Sequence, residues 1–262
     1  MNTRRYTSLE NAIRILKSFS DRNLEFGVSE LAEQLNLGIS TTHRLLISLA
    51  EEGFVVKNKE TNKYTLGLSI LQLTNTVTEQ IHIIREASPI LQKLTDDTGE
   101  STHLGIIDFD EVIYLQKIET PHPTSPDSYL GKRAPIYCTG AGQTILAFQS
   151  NRQVERVLSQ PLTPYTDYTI TDTNQLKSKF AQIKKDGFTA NSQEFQKDMF
   201  SVTSPVYNKD NYVIAAISII GPLRRMKPQK NFLIEKTLKA GNTLSSIVKR
   251  RQRQLLSKGG TV

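Results

Sequence analysis

Apolar residues in this chain change their spacing several times, and each change marks an element. In "TSLENAIRILKSFS" Ile13, Leu16 and Phe19 recur near helical spacing, and Thr7 precedes Glu10 by three residues, the spacing of a capping box. "SELAEQL" follows as a second short helix, with Ser29 as its expected N-cap and Leu31, Ala32 and Leu35 turned inward. "NLGI" breaks it. A third helix is expected from Ser40 to Gly53, with Thr42, Leu45, Leu46 and Leu49 on one face. Its other face presents Ser40, Thr41, His43, Arg44 and Ser48. "FVVKNKETNKYTLG" then reads as strand, polar turn and strand, a hairpin carrying Lys57, Lys59 and Lys63.

Helix, turn and helix followed by a basic hairpin is how a winged helix-turn-helix presents side chains to the major groove and lysines to phosphates. The candidate DNA-binding residues are therefore Ser29, Ser40, Thr41, Thr42, His43, Arg44, Ser48, Lys57, Lys59 and Lys63. A plain three-helix bundle with a solvated polar face is the competing reading.

"LSILQLTNTVTEQIHIIREA" carries a wide apolar stripe of Ile70, Leu71, Leu73, Val77, Ile81 and Ile84, which suits a linker helix and part of a dimer surface. Ser88 and Pro89 are expected to restart the helix, with proline at its first position, and Thr98 and Gly99 to end it. Beyond them "STHLGIID" and "VIYLQKIE" read as a strand pair, and the proline-rich "TPHPTSPDS" as a loop. Helical patterns follow near 141–149, 151–159 and 173–186. "GFTANS", "MFSVTSPVY" and "YVIAAISII" then read as strands, and a long amphipathic helix is expected from about Pro228. This order implies an α+β fold whose sheet is mainly antiparallel.

A length of 262 residues suits two domains. No stretch approaches the roughly 18 apolar residues of a membrane helix, so a cytoplasmic protein is expected. A single cysteine agrees with a reducing compartment. The net charge of +7 is misleading as a sign of nucleic-acid binding, because it resides in the tail. Residues 1–67 hold 9 Lys or Arg against 8 Asp or Glu, whereas residues 224–262 hold 11 against 1.

The chemistry-bearing stretch is "IYCTGAGQTILA". The dinucleotide fingerprint needs a glycine where Ile145 stands, and the P-loop needs Gly-Lys before Ser or Thr, which this chain lacks. What remains is a glycine-rich turn opening a helix, whose free N–H groups favour an anion such as a carboxylate. Cys138 has no recognisable base beside it in sequence, so a wall residue is favoured over a nucleophile. No His or Cys pair has zinc spacing, and no cofactor is expected. Glu194 and Asp198 in "SQEFQKD" form a carboxylate pair of the kind usually found solvated on a loop.

Together, "SLENAIRILKSF", "LGISTTHRLLISLAEEGFV", "YTLGLSILQL", "GKRAPIYCTGAGQTILA" and "GFTANSQEFQKDMFSVTSPV" with "VIAAISIIGP" resemble bacterial regulators of the isocitrate lyase regulator (IclR) family over nearly the whole chain. The resemblance implies a winged helix-turn-helix over 1–67, a linker helix over 68–86 and a GAF-like effector-binding domain over 87–262. It implies homodimers, or dimers of dimers, on palindromic double-stranded DNA operators, and a small organic-acid effector. The effector-binding set is then Cys138, Thr139, Gly140, Ala141, Asn191, Glu194, Ser201 and Ser218. Gln143, Asp198 and Ile220 depart from the family's usual lysine, glycine and serine, and Ile220 suggests a more apolar or differently oriented effector. Two alternatives stand beside this reading: an enzyme using Cys138 with a DNA-binding appendage, and a structural DNA-binding protein without effector.

Overall fold

The computed structural model describes residues 6–20, 23–80, 82–120 and 131–257. The chain forms two compact units, residues 1–81 and 82–262.

In the first unit α1 (Ser8–Ser18) opens on the expected capping box: Thr7 N donates to Glu10 Oε2 at 2.7 Å, and Glu10 N donates to Thr7 Oγ1 at 3.2 Å. β1 (Glu25–Phe26) leads into α2 (Val28–Leu35), and a left-handed Asn36 turns the chain toward α3 (Ile39–Glu51). β2 (Val55–Lys57) and β3 (Tyr64–Leu66) form the hairpin, and β1 adds to β3 as a third antiparallel strand that the sequence pattern did not announce. Two residues are too few for a visible alternation. Ile15, Leu31, Leu45, Leu46, Val55 and Tyr64 meet in the core beneath. α4 (Ser69–Gln80) begins directly after the hairpin, where Ser69 Oγ donates to the Glu52 carbonyl at 2.9 Å.

The second unit opens with α5 (His82–Thr98). Pro89 lies inside this helix and does not restart it, since Ala87 and Leu91 on either side are fully buried and their packing outweighs one missing N–H bond. Of the stripe expected over 68–86, the Val77 side chain and Ile81 lie outside the described residues, as do the proline-rich residues 121–128 and the tail from 258.

A six-stranded sheet follows in the order β6-β5-β4-β9-β8-β7, every neighbouring pair antiparallel. Its strands are β4 (Ser101–Asp108), β5 (Glu111–Ile118), β6 (Arg133–Pro135), β7 (Thr189–Ser192), β8 (Met199–Tyr207) and β9 (Val213–Pro222). Three helices separate β6 from β7: α6 (Gly140–Ala147), α7 (Asn151–Leu158) and α8 (Thr173–Asp186). After β9 come α9 (Leu223–Met226) and the long α10 (Lys230–Ser257). This is the expected α+β architecture with a mainly antiparallel sheet.

Side chains alternate across a strand, and here the alternation sorts the helices onto two faces. Thr102 bonds Thr95 of α5 at 2.9 Å, and Ser204, on the same face, meets Gly241 of α10, so these two helices cover one face. α6 covers the other face and is wholly buried, with Thr144 donating to Thr189 of β7 at 2.7 Å. Apart from Gln143 and Thr144 the run "GAGQTILA" is apolar or small, as suits a helix enclosed on all sides.

Candidate functional site

Two regions carry candidate chemistry, one in each unit. On α3, Ser40, His43, Arg44 and Ser48 are exposed and Thr41 is half-buried, so these side chains form one accessible polar face. Thr42 does not belong to it. It is fully buried and its hydroxyl donates to the Gly38 carbonyl at 3.1 Å, because the same residue completes the inward row with Leu45 and Leu46. Ser29 is exposed but sits inside α2, whose N-cap is Gly27; Glu30 accepts the Gly27 N–H at 2.7 Å. Lys57 and Lys59 are exposed on the hairpin. Lys63 is drawn to Glu30 at 2.9 Å; the Gly27 amide first, and then this bond, hold the Glu30 carboxyl below the usual range. Lys63 therefore ties the hairpin to α2.

In the second unit the site is built on the first turn of α6. Thr139 caps the helix by accepting from Gly142 N at 3.2 Å while donating to the Pro135 carbonyl at 2.8 Å. The turn is pressed onto β8 so closely that a Cβ on Gly140 would stand 2.6 Å from Ser201 Oγ and 2.7 Å from Thr203 Oγ1. Any side chain there would have to push both hydroxyls aside.

Beside this turn lies a small, partly open cavity. Cys138, Thr139, Gly140, Ala141, Asn191, Glu194, Ser201 and Ser218 all line it. Strand register explains the meeting of residues so distant in sequence: Asn191 pairs with Ser201, Ser201 with Ile220, and His103 with Ser218, all on the face that α6 covers. Thr203 and Ser218 share a hydroxyl bond of 2.9 Å. The β7–β8 turn closes one side with Gln193, Glu194, Phe195 and Gln196.

That turn is held open by two left-handed residues, Gln193 (φ 61°) and Asp198 (φ 59°). The conformation at Asp198 accounts for the glycine usual at this position in the family it resembles. Thr166 and Thr169 donate to the Gln193 and Glu194 carbonyls at 2.7 and 2.6 Å.

A buried polar network supports the cavity wall. Gln143 is fully buried and donates to the Tyr137 carbonyl at 2.8 Å and to Glu194 Oε2 at 2.7 Å. Its own Oε1 accepts from Asn191 Nδ2 at 3.0 Å, and the same amide donates to the Cys138 carbonyl at 3.1 Å. Lys179 of α8 completes the network with an ion pair to Glu194 Oε1. Glu194 is thus a 5%-exposed paired carboxylate, and the expectation of a solvated loop carboxylate is corrected. Nothing in local sequence announces Lys179 as its partner.

His103 and Tyr114, which the sequence does not single out as pocket residues, stand 5.0 Å apart between ring centres in the cavity wall. Burial, with Lys117 nearby, lowers the His103 pKa to about 3, so its ring is neutral. Alternation along β4, which sets residues 101, 103 and 105 on one face, was the available signal. Cys138 is fully buried, and burial with the neighbouring Glu194 charge pushes its thiol up to about 12. Such a thiol is a poor nucleophile. Among the described residues no group of three or more His, Cys, Asp or Glu could hold a metal ion, and no helix is long and apolar enough to cross a membrane.

Residues 8–59 match the IclR helix-turn-helix domain, and residues 75–246 match the bacterial transcriptional regulator IclR C-terminal domain. The chain is 32% identical to the HTH-type transcriptional regulator XynR of Escherichia coli K12, over 81% of this chain and 84% of that one. It is 28% identical to the transcriptional repressor IclR of the same organism, over 84% and 81%. Among solved structures, the Thermotoga maritima IclR superposes with a TM-score of 0.79 at 27% identity, covering 92% of this chain and 98% of that one. An IclR homolog from Microbacterium hydrocarbonoxydans, complexed with 4-hydroxybenzoate, superposes with a TM-score of 0.82 at 22% identity over 92% and 98%.

Proposed function

The chain belongs to the IclR family of bacterial transcriptional regulators, and we propose that its C-terminal cavity receives a small organic acid whose binding alters the grip of the N-terminal unit on a palindromic operator. It is a DNA-binding regulator with an N-terminal helix-turn-helix domain and a C-terminal effector-binding domain. The observation that carries the organic-acid reading is the open cavity at the start of α6. Gly140 and Ala141 of the first helical turn and the positive end of the helix dipole meet there, with Ser201 and Ser218 beside them. A carboxylate fits that end, and Tyr114, Phe195, Met199 and Ile220 offer an apolar wall to the rest of the molecule. The related Microbacterium protein with 4-hydroxybenzoate is in keeping with an acid of this size.

Operator reading falls to Ser40, Thr41, His43, Arg44 and Ser48 on α3, with Lys57 and Lys59 toward the phosphates. A palindrome implies two copies of the chain, as a homodimer or a dimer of dimers in the cytoplasm. The protein acts by binding and not by turnover: Cys138, the candidate nucleophile, is buried with a raised pKa. A DNA-binding protein without effector would have no use for an open cavity lined by hydroxyls.

Titration calorimetry of the full-length protein with a panel of monocarboxylic acids tests the reading. Saturable binding of at least one acid, absent in Gly140→Val, is the expected result. Equal binding by the variant would put the acid elsewhere.

A further inference from the structure

Resting on the organic-acid reading, the charge balance of the cavity narrows the class of acid. Among the described residues that line it there is no lysine or arginine, and the one charged side chain is Glu194. The ammonium of Lys179 pairs with Glu194 Oε1 but does not line the cavity. His103 is buried in the wall and neutral. Positive potential for an anion thus comes from the α6 N-terminus, equivalent to roughly half a charge, which matches one carboxylate. A second carboxylate in the same space would shed water beside Glu194 with no cation to meet it.

Glu194 also has something to offer a different group. Gln143 and Lys179 each donate to one of its oxygens, and a carboxylate accepts about four hydrogen bonds in all. The remaining lone pairs suit a ligand hydroxyl. We infer that Glu194 is the specificity-determining residue of the cavity: it selects a monocarboxylic acid bearing a hydroxyl group and rejects dicarboxylic acids.

The test uses full-length protein and matched pairs in which a carboxylate replaces a hydroxyl: 4-hydroxybutyrate with succinate, 3-hydroxypropionate with malonate, and 4-hydroxybenzoate with terephthalate. Calorimetric Kd values should favour the hydroxy acid by about tenfold or more, as expected for like charges brought together without water. In Glu194→Gln the gap should shrink to about threefold or less, through tighter binding of the diacid. Should that variant leave Lys179 unpaired and fail to fold, the double variant Glu194→Gln, Lys179→Met removes both charges and should show the same collapse.

Diacids that bind the natural protein as tightly as their hydroxy partners would overturn the inference while leaving the organic-acid reading intact. A gap that persists in the folded variant would remove Glu194 as its cause. No binding by any of the six acids would overturn both.

Discussion

Gln143 donates to Glu194 at 2.7 Å and thereby joins the buried helix α6 to a cavity-wall turn 51 residues further along the chain. The same side chain holds the Tyr137 carbonyl and the Asn191 amide, so one residue positions three parts of the site. Gln143→Leu would leave these buried groups short of partners. A loss of about 2–3 kcal/mol is expected, read as a lowered urea midpoint with an unchanged m-value. An unaltered midpoint would mean that the network contributes nothing to stability.

Much of this arrangement was legible in the sequence, but unevenly. The Thr7 and Glu10 capping box and the strand at 199–207 are local patterns, and the structure reproduces them. Glycine-rich "CTGAGQ" and the distant "NSQEF" share the cavity through strand register, which pattern reading alone does not determine and family resemblance does. The Gln143, Glu194 and Lys179 network was not legible, since its partners lie on α6, a turn and α8 and carry no mutual spacing signal. Thr42 was assigned to two faces of α3 at once, and burial assigns it to the core. Pro89 misled because proline marks a helix start more often than an interior, and only tertiary packing reverses that.

His103 makes stability depend on pH. Its pKa in the fold, about 3, lies below the ordinary 6.5, so the unfolded chain takes up a proton that the folded chain refuses. The contribution is therefore complete above about pH 6.5 and is lost as pH falls toward 3. Between pH 7.5 and 5 the loss should be about 2 kcal/mol, and His103→Gln should remove that part of the slope. Identical slopes in urea unfolding of the two proteins would contradict a buried neutral ring.

Cys138 should be chemically silent in the native state. With its thiol fully buried and pushed up to about 12, reaction with Ellman's reagent at pH 8 should wait on unfolding and proceed rapidly in denaturant. Cys138→Ser should keep both DNA binding and the acid response. Fast labelling of the folded protein, or loss of the response in the serine variant, would revive a role for the thiol.

Arg44 and Thr42 flank His43 on α3 and differ in exposure, which makes them a matched pair. Arg44→Ala should weaken operator binding by about tenfold or more at fixed salt, the usual consequence of losing a base or phosphate contact. Thr42→Val should leave specificity unchanged, because its side chain lies in the core. Fluorescence anisotropy on DNA selected by the protein from a random pool provides the measurement. A larger effect from Thr42 than from Arg44 would reverse the assignment of the reading face.

Coupling between the cavity and the DNA is the central claim, and one comparison tests it most directly. Operator Kd is measured by anisotropy at constant salt, with and without a saturating acid, for the natural protein and for Gly140→Val, whose side chain would crowd Ser201. The acid should shift the Kd of the natural protein by about five-fold or more, and should leave that of the variant unmoved. An acid that binds the cavity without changing operator affinity, or a Gly140→Val protein that responds as the natural one does, would contradict the claim.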